Sequence, residues 1–253
     1  MLHCGRMKSK SFFVTKIVGS ACEVYSLPMR QTIVSISLLC VLMRGSCNLA
    51  QTAASEPSKF KVETSIHEMY LADESEVPAA KPGGISPITY EEYKVREEAR
   101  RQQVRAMLAK GEVKTGEDFR DASFIFQHSD NADDYLMAHI LAVESVIKGD
   151  DTSKWIAAAT LDRYLQSINK PQVFGTQYPL DPNAPASLRA EQAKAHAGRF
   201  KGRTQSPFDD QLVPDALRKD FCVPDLAQQK KNLATLNAGS YPGDAMVAPG
   251  CKR

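Results

Sequence analysis

The stretch DNADDYLMAHILAVESVIKGDDTSKWIAAATLDRYLQSI, Asp130 to Ile168, decides the architecture. Its first part predicts a helix from near Asp130 to Lys148-Gly149. Tyr135, His139, Ala142 and Val146 share one face, and Met137, Ile140, Leu141 and Ile147 cover much of the rest. A helix apolar on most sides belongs at the centre of a bundle. Asp150 to Ser153 reads as a tight turn, with Ser153 or Thr152 capping a second helix from Lys154 to about Ile168. The core stripe expected there is Ala157, Leu161, Tyr164 or Leu165, and Ile168. These two helices form an antiparallel hairpin. A solenoid needs about three such units or more, and no second copy is visible. The fold expected is mainly α: a compact bundle of about five helices around one antiparallel hairpin, with a long Pro-rich loop and an irregular C-terminal segment.

Upstream, Thr89 and Glu92 make a capping box, with Ile88 and Tyr93 as a hydrophobic staple. That helix should run to about Lys110 and stop at Gly111. Its middle (Lys94, Arg96, Glu97, Glu98, Arg100, Arg101) is so charged that most of it is expected in water. Thr115 and Asp118 cap a shorter helix through Phe119, Ala122, Ile125 and Phe126. Downstream, Pro171 to Pro185 is a loop with four prolines, and a final helix runs from about Pro224 to Leu236, stopped by Gly239.

The N-terminus is set apart from the fold. From Met29 a basic start, an apolar run from Thr32 to Met43 and Asn48-Leu49-Ala50 before Gln51 read as a cleavable signal peptide over 29–50. The run is shorter than the ~20 residues a membrane-spanning helix needs, so no membrane span is expected after cleavage. Residues 1–28 read as upstream sequence from too early a start codon, 51–87 as a disordered linker rich in Pro, Ser, Glu and Ala, 88–239 as the helical domain and 240–253 as a flexible tail. The chain is expected in the periplasm or outside the cell.

The first fifty residues hold six Lys or Arg against Glu23 alone, so removing them leaves 26 basic and 29 acidic residues, a net of −3. That balance argues against nucleic acid, whose binders show a clustered basic face. Four of six cysteines also lie before the cleavage point. Cys222 and Cys251 remain, an even count able to pair in an oxidising compartment.

Strong catalytic signatures are absent: no G-x-S-x-G, phosphate loop, dinucleotide fingerprint or H-E-x-x-H. No metal or cofactor is expected. Three features remain. Asp162 lies at the edge of an apolar stripe, a base or a structural anchor, while Arg163 points about 100° away round the helix. Gln172 to Gln177 offers Gly175 for close backbone approach, and Gln172, Thr176 and Gln177 as neutral donors and acceptors suited to a polar ligand or to locking the loop. His128, in Gln127-His128-Ser129-Asp130, suits a general base oriented by a carboxylate. His128 with Asp130, Asp133 and Asp134 has the donors for a metal, but acidic residues at a helix start more often cap it.

Phe124-Ile125-Phe126-Gln127-His128, Leu161-Asp162-Arg163 and Gln172-Val173-Phe174-Gly175-Thr176-Gln177 resemble an uncharacterised bacterial domain-of-unknown-function family. Its signature is L-x-D-R, a short gap, then Q-x-[YF]-G-T-Q; here Leu161 directly precedes Asp162-Arg163, a variation in spacing. Pro214 to Arg218 and Val223 to Ala227 are similar to its closing pattern. The resemblance covers roughly residues 119–236 and implies a fold and a candidate site, not a reaction. Two functions follow as expectations. One is an exported helical module binding a polar small molecule or a protein near the Gln172–Gln177 loop. The other is a hydrolase-like enzyme with His128 as base, Asp162 orienting it, and Arg163 or Gln177 holding an anionic or carbonyl group.

Overall fold

The computed structural model describes residues 63–76, 88–194 and 201–251. The segments read from sequence as a signal peptide and as upstream sequence, and most of the stretch read as linker, lie outside the described residues. The fold is mainly helical, as the patterning predicts. Eight α-helices are described: α1 (Ile66–Glu76), α2 (Tyr90–Ala109), α3 (Gly116–Gln127), α4 (Ala132–Ile147), α5 (Lys154–Ser167), α6 (Ala186–Lys194), α7 (Asp215–Asp220) and α8 (Leu226–Asn237).

Helix α4 takes the central place. Its Ala138 and Leu141 join Ile66, Met69, Val104, Ala122, Ile125 and Phe126 in one apolar cluster with α1, α2 and α3. Its Ala142 joins Trp155 to Ala159 of α5, Phe174, Val213 and Val223 in a second. Ile140 and Ile147 face water on the remaining side. The caps of α2 and α3 fall where the sequence puts them, whereas Ser153 at the start of α5 makes no side-chain capping bond and α8 is capped by Asp225. Thr89 with Glu92 and Thr115 with Asp118 close capping boxes at α2 and α3. At α4 the cap is Asn131, one residue beyond Asp130. In α5 the buried face is the amino-terminal run from Trp155 to Thr160 plus Asp162; Ile168 is exposed.

Three expectations change. The segment read as linker contains α1, whose buried positions Ile66, Met69, Asp73 and Glu76 follow a helical stripe that is half acidic. Half of the charged middle of α2 is buried, not solvated: Glu97, Arg100 and Arg101 are each at most 4% exposed. Arg101 pairs with Glu97, Glu98 and Asp134, and Arg100 with Glu76 at 2.6 Å and Asp73 at 3.4 Å. Burial pushes the Glu97 carboxyl up, against the pull of Arg101 and Lys94. Finally, residues 240–251 fold back on the domain. A 3-10 turn spans Gly243–Met246, Ala248 is buried with its amide donating to the Cys222 carbonyl at 2.8 Å, and Cys251 is bonded to Cys222 with Cα atoms 5.6 Å apart.

Candidate functional site

The loop after α5 is built around Asp162. One of its oxygens accepts from the backbone amides of Val173 (2.8 Å) and Phe174 (3.0 Å), the other from the amide (2.9 Å) and hydroxyl (2.7 Å) of Thr176. Burial pushes this carboxyl up from its ordinary value, and the four donors pull it back. Every donor points at an oxygen, so Asp162 anchors the loop and has no acceptor left for an imidazole.

Gln172 frames the same loop from inside. It is fully buried, its amide nitrogen donates to the carbonyls of Gln177 (3.0 Å) and Gln205 (2.5 Å), and its oxygen accepts the Gln177 amide at 3.0 Å. Gly175 has φ +78°, and a Cβ there would meet Gln229 Oε1 at 2.1 Å and Phe208 Cζ at 2.6 Å. Gln205 donates to the Gly175 carbonyl at 2.6 Å, while Gln229 and the buried Arg218 donate to that of Phe174. Three of the residues proposed from sequence to bind ligand (Gln172, Gly175, Thr176) therefore form the frame of a wall, not its surface.

The surface of that wall is Gln177, Tyr178 and Pro179. With Tyr135 of α4, with Arg163, Gln166 and Ser167 of α5, and with Asp130 and Arg203, they line a cleft of about 520 Å³. Arg163, Gln166 and Ser167 are three and four residues apart, so one helix face delivers all three. The amide nitrogen of Gln166 is buried and has no hydrogen-bond partner among the described residues. Arg203 arrives from across the chain. Asn237 of α8 clasps its backbone, accepting from its amide at 2.7 Å and donating to its carbonyl at 3.0 Å, and its guanidinium donates to the Tyr178 carbonyl at 3.2 Å. Burial pushes the Tyr178 phenol up to about 12, so it is neutral at pH 7.

His128, the C-cap of α3, belongs to another network. Its Nδ1 lies 2.6 Å from Asp73 Oδ2 of α1. The orienting carboxylate expected in Asp162 is thus supplied by a residue from the stretch read as linker. Asp133 and Asp134 open α4; Asp134 receives Arg101, Arg105, Ser129 and Asn131 as a structural hub. His139 Nδ1 donates to the Ala157 carbonyl at 2.9 Å and ties α4 to α5.

Helical spacing could have grouped Arg163, Gln166 and Ser167 from sequence; Arg203 and Asp73 carried no local signal. No helix among the described residues is long and apolar enough to cross a membrane. In comparisons with family models, curated proteins and solved structures, the chain matches none of them.

Proposed function

We propose that this is an exported binding domain whose cleft beside the Gln172–Gln177 loop takes a small anionic molecule bearing a carboxylate or phosphate. One observation carries the reading: Arg163 and Arg203, forty residues apart, line the same cleft as Gln166, whose buried amide nitrogen has no partner among the described residues. Guanidinium groups match planar and tetrahedral oxyanions through fixed pairs of N–H donors. A buried amide nitrogen without an acceptor gains most from a ligand oxygen. Export is supported by the Cys222–Cys251 bond, which persists in oxidising compartments.

A thermal-shift panel of inorganic phosphate, citrate and simple dicarboxylates against neutral sugars tests this. A ligand that binds only the native state raises its melting point, by about 2.7 kcal/mol of stability at a hundredfold excess over Kd. The expected result is a shift with anions alone that R163A and R203A abolish. Shifts that survive both substitutions would sink the reading, and a flat panel would favour a protein partner. The hydrolytic alternative keeps His128 as base with Asp73 in the orienting role, favoured by their 2.6 Å contact. It requires turnover of ester or amide substrates that D73N lowers at unchanged KM.

A further inference from the structure

The seam between α1 and α3 carries two histidine–carboxylate sets of the same composition: His67 with Glu117 and Asp121, and His128 with Asp73 and Glu74. In each, three candidate ligand atoms lie within 4.8 Å of one another. Their surroundings differ. His67 is half exposed, and Asp121 is already held by Arg120 through two contacts at 3.0 and 3.2 Å. His128 is mostly buried, and Asp73 is fully so.

We propose that His128 Nε2, Glu74 and the side-chain oxygen of Gln127 hold a divalent transition-metal ion of the zinc type, with Asp73 orienting the imidazole from behind. Asp73 Oδ2 sits 2.6 Å from Nδ1, which fixes the proton there and leaves Nε2 as the lone-pair donor. A carboxylate behind a ligating imidazole is the usual arrangement around a protein-bound metal. Glu74 Oε1 lies 3.8 Å from Nε2, and the Gln127 amide end lies 3.4 Å from it. Two ligands on a tetrahedral ion with bonds near 2.1 Å are about 3.4 Å apart, so a small swing of Glu74 closes the site.

Two further groups fit. Gln127 is 4% exposed and aims its amide at Nε2; a half-turn of that amide presents its oxygen. The Tyr93 phenol is 4% exposed, lies within electrostatic reach of Asp73 and Glu74, and has no hydrogen-bond partner among the described residues. Water on an open coordination position would supply one. Arg100 contacts the other oxygen of Asp73, Oδ1, at 3.4 Å. Mixed imidazole and oxygen donors suit zinc, manganese or iron, whereas magnesium and calcium favour oxygen alone.

The test is calorimetric titration of zinc chloride into the full chain with its free thiols alkylated, repeated with magnesium chloride. One zinc per chain and no magnesium response are expected. E74Q and H128N should each weaken binding at least tenfold, D73N by about 10–100-fold, and H67A not at all. E74Q changes a partly exposed side chain, so its circular dichroism and melting point should match wild type and keep the comparison interpretable. Absence of zinc binding, binding unaltered by E74Q, or equal loss in H67A overturns the proposal.

Discussion

The two halves of the domain bury polar groups by opposite means. From α1 to α4 most of the buried polar groups are charges: Asp73 pairs with Arg100 and Asp134 with Arg101 across helices, and Glu97 with Arg101 within α2. From Asn169 onward they are mostly neutral amides. Gln172, Gln205, Gln229 and Asn232 donate to backbone carbonyls, of Gln177, Gly175, Phe174 and Ala245 among others. The difference follows from the backbone. A helix satisfies its own N–H and C=O groups, so side chains reaching inward must find one another. An irregular segment leaves backbone groups open, and an amide with two donors and an acceptor meets them without carrying charge inside.

That contrast can be broken at its strongest point first. Replacing Arg101 by Met leaves Glu97 and Asp134 buried with fewer partners, and should cost about 3–5 kcal/mol in a urea melt. Replacing Glu97 and Arg101 together by Met should recover most of it, because a buried pair is close to break-even against apolar packing. A single variant as stable as wild type would remove the distinction. At the carboxylate of α5 that anchors the loop opening the amide half, D162N turns an NH₂ toward donors that now share two oxygens, at an expected cost of about 3 kcal/mol by loss of hydrogen bonds to a charged group. On the proposed function, the cleft should lose anion affinity in parallel.

The disulfide comes next. Cys222 and Cys251 are 29 residues apart, and opening such a loop should cost about 3.5 kcal/mol if it acts through chain entropy, less if the reduced chain keeps structure. Reduction should lower the melting point, and C251S should make it insensitive to reductant. Q229A, which leaves the Pro224 carbonyl without its donor at 2.8 Å, should cost about 1–2 kcal/mol.

The smallest effect concerns α2. The Thr89 backbone amide holds the Glu92 carboxyl below its ordinary value of 4.5. A carboxyl lowered in the folded state contributes stability that is present above 4.5 and lost as pH falls through its folded value. E92Q should flatten that part of the acid limb in a titration followed by circular dichroism, leaving the rest unchanged.

What was legible in the sequence follows the same division. The hairpin of α4 and α5, and the caps at Thr89 and Thr115, rest on local signals a few residues long, and those were readable. Helix α1 was not. Two of its four inward positions are Asp73 and Glu76, so its buried stripe carries no apolar period, and only Arg96 and Arg100 of α2 and His128 of α3 explain the acids. The Gln172–Gln177 segment was legible as a special loop, but which side chains face inward depends on Gln205, Arg218 and Gln229, far along the chain. The cleft inherits that split: Arg163 could be read from sequence, and Arg203 could not.

The four hydrogen bonds on Asp162 also bear on thermodynamics outside folding. A loop cast in its final shape before any ligand arrives loses little conformational entropy on binding, so contacts made against it count almost fully toward affinity. Substitutions that loosen the loop should therefore weaken recognition through a less favourable entropy, with the binding enthalpy nearly preserved. Fold stability and ligand affinity at this wall would then drift together under mutation, neither free to be tuned alone.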